Sequence, residues 1–253
     1  MIRKQVVALL VVSAALHVAA PSWAQQAPKP GAPGSTAPSA APPGPPATTT
    51  PPAPAPTPAV NKQPYEVTGF RSARFGMTEA EVRAAVQKDF GVKPDDIRST
   101  PNALERTTAL MVALPALDPG PGPATAIYII GYQSKKLIQV NVVWAPDPKA
   151  EKVDTGPYVV AGVQLGNYFN AFAWRDGGVN VGVVLGPHTL ALFAAEDDKT
   201  GAVNVVVDGV TLERKVEGKV EPLPPPTTPP SLRVSYISNR TTPDIFRLER
   251  GRF

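Results

Sequence analysis

The placement of proline constrains this chain more than any other feature. Of 253 residues, 32 are proline, and they crowd into two stretches. From Gln26 to about Gln63 the sequence is Ala, Pro, Thr, Gly and Ser with almost no charge, and nothing bulkier than proline that a core could use precedes Val60. Such a segment cannot bury enough apolar surface to offset the entropy of ordering it. Its proline density favours extended polyproline II, so about 35 residues at about 3.1 Å each reach on the order of 100 Å. A second cluster, Pro222 to Pro230, separates the last segment from what precedes it. The expected organisation is therefore a leader at 1–24, a disordered linker at 25–64, an α+β domain at 65–214, a proline-rich loop at 215–230, and a C-terminal strand with a basic tail at 231–253.

The leader has the layout of a secretory signal peptide. Arg3 and Lys4 form a positive start, Val6 to Ala20 an apolar stretch, and Ser22-Trp23-Ala24 supplies small residues at the positions a signal peptidase reads. Cleavage is expected after Ala24, because Pro21 obstructs extended binding at a site after Ala20. The apolar stretch would span about 22 Å as a helix, short of a hydrocarbon core of about 30 Å, and no later run approaches a membrane-spanning length. The absence of cysteine excludes disulfides, thiolate metal sites, a cysteine nucleophile and a lipidated cysteine anchor. Net charge is +4, with Arg3 and Lys4 supplying two of those charges, too little to predict nucleic-acid binding. The expected address is periplasmic or secreted, with no transmembrane segment after cleavage.

Within the body, Met77-Thr78-Glu79-Ala80-Glu81-Val82 reads as a helix start. Thr78 caps, Glu81 closes a capping box, and Met77 staples onto Val82. Val82, Ala85, Val86 and Phe90 follow at helical spacing and Gly91 suits a left-handed cap, so a helix is expected over Glu79–Phe90. Apolar β-branched runs predict strands at Thr107–Leu114, Thr125–Gln133 and Leu137–Trp144, with Ser134-Lys135-Lys136 turning a hairpin. A second helix should follow Pro157, carrying Tyr158, Ala161, Leu165, Tyr168, Phe169 and Phe172 on its apolar side. Its Gly162 and Gly166 are expected to allow close backbone packing. Strands are then expected at Val179–Leu185, Thr189–Ala195, Ala202–Leu212 and Leu232–Ile237. The expected fold class is α+β, one antiparallel sheet with two main helices, and a tandem α-βββ arrangement is the alternative.

Phe75-Gly76-Met77-Thr78-Glu79-Ala80-Glu81-Val82 resembles the G-M-T-x-x-x-V helix start of the BamE/SmpA-like domain, a small fold of helices followed by a three-stranded meander in bacterial envelope proteins. The β-lactamase-inhibitor proteins look like a doubled version of a similar architecture. The resemblance covers some 70 residues, and the chain departs from BamE in having no lipobox cysteine and one clear helix before the first meander. It implies a protein-binding module in the envelope.

No residue pattern supports catalysis. Asp154-Thr155-Gly156 matches an aspartic-protease triplet, but Lys152 and Pro157 flank it where an apolar strand and a small residue belong, so helix capping is expected. His188 lacks companion ligands and a nucleophile motif, and reads as a turn residue. Glu196, Asp197 and Asp198 lack calcium-loop spacing and read as a solvated hairpin turn. Neither dinucleotide nor P-loop motifs occur. Arg240, Arg247, Arg250 and Arg252 are expected in a solvated tail, and Asn239-Arg240-Thr241 is a sequon by pattern only. No catalytic, cofactor or metal residue is assigned. The leading expectation is a non-enzymatic envelope adaptor that binds another envelope protein or a cell-wall component, with exposed strand edges as a route to peptide binding. The alternatives are a small-ligand carrier or enzyme whose site is assembled from distant residues, and an inhibitor of a secreted enzyme.

Overall fold

The computed structural model describes residues 62–147, 149–150, 153–216, 219–222, 224–248 and 251. The leader, the linker up to residue 61, Arg250 and Arg252 lie outside these residues. Two short strands, β1 (Gly69–Phe70) and β2 (Ala73–Arg74), lead into α1 (Glu79–Phe90). The ends of α1 follow from its capping residues. Thr78 is extended at φ −71° and ψ 165°; its Oγ1 accepts the Glu81 N–H at 3.4 Å, and the Glu81 carboxylate accepts the Thr78 N–H at 2.7 Å. At the other end Gly91 turns left-handed at φ 65° and its N–H donates to Gln87 O. Val82, Ala85 and Val86 form the buried face.

A four-stranded meander follows: β3 (Arg98–Asn102), β4 (Thr107–Leu114), β5 (Ala124–Ile130) and β6 (Leu137–Trp144). Helix α2 (Gly156–Asn170) introduces a second meander of β7 (Val179–Gly186), β8 (Thr189–Glu196) and β9 (Ala202–Asp208). A small hairpin, β10 (Glu213–Val216) with β11 (Lys219–Pro222), precedes β12 (Ser231–Ile237). Strand β12 inserts between the two meanders. The result is one eight-stranded sheet, ordered β3-β4-β5-β6-β12-β9-β8-β7, in which every neighbouring pair is antiparallel. The fold is α+β with a single large antiparallel sheet and two main helices.

Register assigns the faces. Leu110, Tyr128, Val140, Tyr236, Val203 and Ala195 lie opposite one another across six strands, and they share the face that the helices cover. The ring of Tyr236, on the central strand, lies 5.4 Å from Phe70 and 6.1 Å from Phe169. Phe70 stacks on Phe90 of α1, and Phe169 belongs to α2, so Tyr236 joins the two halves into one core. Gly162 lets α2 approach closely: a Cβ there would sit 3.1 Å from Val207 Cγ2 and 3.2 Å from Leu232 Cδ1. The close packing expected of the glycine pair is found at Gly162, whereas a Cβ at Gly166 would meet only an ordinary contact.

Several expected boundaries move, each for a local reason. The strand expected over Ala202–Leu212 stops at Asp208, because Gly209 turns at φ 70° directly beneath Pro229 and Pro230. The strand expected to reach Gln133 stops at Ile130; the Asp244 carboxylate accepts the N–H groups of Gln133 and Ser134, both at 2.9 Å, and turns the chain. The stretch expected to be loop at 215–230 contains β11. Packing starts before Tyr65, since Gln63 O accepts the Ala173 N–H at 2.8 Å. The tail expected to be solvated is anchored as far as Phe246, whose N–H donates to Glu105 O and whose ring lies 3.7 Å from the Arg106 guanidinium. Among the described residues no helix is long and apolar enough to cross a membrane.

Candidate functional site

A sheet edge offers unpaired N–H and C=O groups to any strand that approaches, and edges are commonly blunted by proline, charge or short length. The two edges of this sheet differ in that respect. Strand β3 is five residues long and carries Arg98 and Pro101. Strand β7 reads Val-Asn-Val-Gly-Val-Val-Leu-Gly over eight residues, without charge or proline. Its apolar side chains face solvent, with Val181 63% and Leu185 60% exposed. Other exposed large apolar residues include Val179, Val183 and Val184 on the same strand, and Val160, Val163 and Tyr168 on α2. Val163 of α2 and Val181 of β7 line the same groove, and exposed apolar surface grouped in this way marks an interaction site.

The free backbone groups of β7 can be identified. Glu196 N–H donates to Gly178 O at 3.2 Å, while Gly178 N–H donates to Arg175 O and Arg175 N–H to Glu196 O, so the Gly178 carbonyl faces β8. Alternation along an antiparallel ladder then directs the N–H and C=O of Asn180 toward β8, and those of Val179 and Val181 away from it.

Beside this edge runs a groove. Helix α2 packs on β8, β9 and β12, and between its flank and β7 lies a cavity of about 200 Å³. Val163, Gly166, Asn167 and Asn170 of α2 form one wall, Val181 and Gly182 the rim, and Leu190, Leu192 and Phe193 the floor. Two local features open it. Gly166 presents no side chain, and a Cβ there would meet Phe193 Cβ only at an ordinary 3.5 Å. Gly182, at φ 68°, stands opposite the point where β8 slips register with β9 between Ala191 and Phe193. At Gly182 the rim carries no side chain. A dry cavity of about 150 Å³ takes up benzene, so this groove has room for one large apolar side chain. No ionisable side chain lines it; Asn167 and Asn170 are its polar groups.

Free backbone groups at Val179 and Val181 on an apolar edge, with a neutral groove beside them, suit recognition of an extended polypeptide. The main chain supplies affinity through ladder bonds, and the groove selects one side chain.

The residues weighed for chemistry from sequence fall elsewhere and do not converge. Asp154 Oδ1 accepts the Gly156 N–H at 2.9 Å and closes the first turn before α2, while Thr155 makes no side-chain cap bond. His188 Nδ1 lies 3.2 Å from Val210 O in the turn between β7 and β8. The acidic turn is solvated as expected only at Asp198, which is exposed, whereas Glu196 and Asp197 are buried. Asp197 is 4% exposed, and its carboxylate accepts the N–H groups of Val67, Lys199 and Gly201 at 2.8, 2.8 and 2.7 Å. Glu196 pairs with Arg175 at 3.0 Å. Among the described residues no group of three His, Cys, Asp or Glu side chains is placed to hold a metal. Burial and the neighbouring Tyr168 push the Tyr65 phenol up to about 12, and burial raises Tyr128 and Tyr236 further; these phenols stay neutral and act as core. Asn239 Oδ1 accepts the Thr241 and Thr242 N–H groups at 3.0 and 2.8 Å, which occupies the sequon side chain in a turn.

Comparison with known protein families, curated proteins and solved structures yields no match.

Proposed function

We propose that this chain is an exported, non-enzymatic binding module of the bacterial cell envelope, and that it captures an extended segment of a partner protein by adding it as a strand to β7. The observation that carries the reading is the contrast between the two sheet edges. One is short and blunted by Arg98 and Pro101; the other is long, apolar and bordered by a neutral groove. Leaving such an edge open invites self-association, a liability tolerable where the edge has a partner. The signal-like leader supports export, and the long proline-rich stretch ahead of the body supports a spacer that gives the module reach. The resemblance of the α1 start to BamE/SmpA-like domains points to the same class of envelope protein-binding module.

The test places a photoreactive residue at Val179 of the mature chain in its native envelope, with and without Val181→Pro. Proline at Val181 removes an outward N–H while the bonds of Asn180 to β8 stay in place. The reading expects a saturable crosslink to one polypeptide that Val181→Pro abolishes while the melting temperature holds. An unchanged crosslink in Val181→Pro would overturn it.

A further inference from the structure

We infer that the open face of the sheet, opposite the helices, holds a second binding site, for a small molecule that joins a carboxylate to an unbranched apolar chain. On this face the register sets Asn180, Ala194, Asn204 and Ser235 in one row and Val183, Ala191, Val206 and Arg233 in the next. Together with Leu185 and Arg240 these residues enclose a trough of about 380 Å³, within the range of about 300–1,000 Å³ typical of ligand sites. Its floor is low because Ala191 and Ala194 are small. Its two sides differ in chemistry: Val183 and Leu185 make an apolar wall on β7, and Arg233 with Arg240 makes a cationic wall at β12.

The cationic wall makes no ion pair among the described residues. The ion pairs among the described residues join Glu79 to Arg83, Glu196 to Arg175 and Glu66 to Lys199, so Arg233 and Arg240 take part in none of them. Asp208, diagonal to Arg233 across the β9–β12 pair, is held by the Thr189 hydroxyl at 2.8 Å. Ser235 lies between the arginines and the floor, only 7% exposed, and its hydroxyl makes no hydrogen bond among the described residues. The Asn204 amide beside it is likewise unengaged. Arg240 is fixed at its backbone, where its N–H donates to Thr200 O at 3.0 Å. Two guanidinium groups flanking a free hydroxyl and a free amide form a donor set matched to a carboxylate. Three strand spacings separate the walls, about 14 Å at about 4.8 Å each, which sets the length of the apolar chain. Charge complementarity at one end and aliphatic surface at the other select an amphipathic anion.

The experiment titrates decanoate, decanol and decyltrimethylammonium into the full mature chain at low ionic strength, below micelle formation, with calorimetry and amide chemical shifts as readouts. Decanoate should bind saturably at one site, shifting Ala194, Asn204 and Ser235, and the other two probes should not. Arg233→Gln with Arg240→Gln should weaken decanoate by about tenfold or more, whereas Arg98→Gln on the far edge and Val181→Pro should leave it unchanged. Arg240→Gln alone, at an exposed position, gives a graded loss and guards against a folding artefact of the double variant. Equal binding of decanol, an unaffected double variant, or no decanoate binding would each overturn the site. None of these outcomes touches strand capture at β7, which the Val181→Pro crosslink reads separately.

Discussion

Alanine at Gly162 and alanine at Gly166, one turn apart on α2, should change stability in opposite directions. Both replacements remove a helix-interior glycine and so recover about 1 kcal/mol of helix propensity. At Gly166 little opposes this gain, because the new methyl would lie 3.5 Å from Phe193 Cβ, an ordinary contact. The expected net effect is a stabilisation of about 0.5–1 kcal/mol. At Gly162 the methyl would sit 2.5 Å from Leu192 Cδ1, 3.1 Å from Val207 Cγ2 and 3.2 Å from Leu232 Cδ1. Leu192 can rotate away, but Val207 and Leu232 are fully buried on adjacent strands. Overpacking at such a site costs about 1–3 kcal/mol, so Gly162→Ala should lose about 1 kcal/mol net. Urea unfolding of the full mature chain reads both, as midpoint shifts of opposite sign at constant slope. Gly166 also lines the α2–β7 groove, so Gly166→Ala should reduce partner capture while raising stability. A Gly162→Ala protein as stable as the parent would refute the packing argument.

Further outcomes follow from individual contacts. Hydrogen bonds from the Thr78 backbone and hydroxyl hold the Glu81 carboxyl below its ordinary value; the stability this confers is present above the unfolded-state value and is lost as pH falls through the depressed one. Glu81→Gln should remove that part of the acid dependence, and Thr78→Ala should cost about 1 kcal/mol at neutral pH. Asp197→Asn sets an amide N–H₂ against the Val67 N–H that Oδ2 now accepts. It should cost about 2 kcal/mol and expose the segment around Val67 to limited proteolysis before global unfolding. The Tyr128 hydroxyl is buried without a hydrogen-bond partner among the described residues, so Tyr128→Phe should raise the urea midpoint by the equivalent of about 1 kcal/mol.

Elements with strong local chemistry were legible in the sequence. The Thr78–Glu81 capping box and Gly91 mark both ends of α1, and the apolar runs Thr107–Leu114 and Leu137–Trp144 are strands over those same residues. Strand β12 was readable despite its isolation behind Pro222 to Pro230, because Leu232 and Val234 alternate with polar neighbours and face the core. Its insertion between the meanders was not readable, since it depends on long-range pairing with β6 and β9. Strand β3 was missed because Arg-Ser-Thr-Pro-Asn is exposed throughout and has no apolar period; pairing with β4 alone holds it extended. Strands β10 and β11 were missed for a similar reason, since Glu213-Arg214-Lys215 carries no apolar alternation. The groove was hidden by the opposite problem. Val179 and Val181 carry the same signal as a buried strand and lie on the helix-covered face opposite Ala195 and Phe193, but α2 packs on β8, β9 and β12 and leaves them exposed. Gly182 in an otherwise β-branched run was the one visible mark of an irregular edge.

Residue-resolved amide hydrogen exchange along β7, with the mature chain free and then bound to the segment it captures, tests strand addition most directly. In the free chain the amide of Asn180, bonded to β8, should exchange slowly, and those of Val179 and Val181 quickly. On capture, Val179 and Val181 should become protected together, and Val181→Pro should prevent capture. Fast exchange at both valines in a saturated complex would contradict strand addition at this edge.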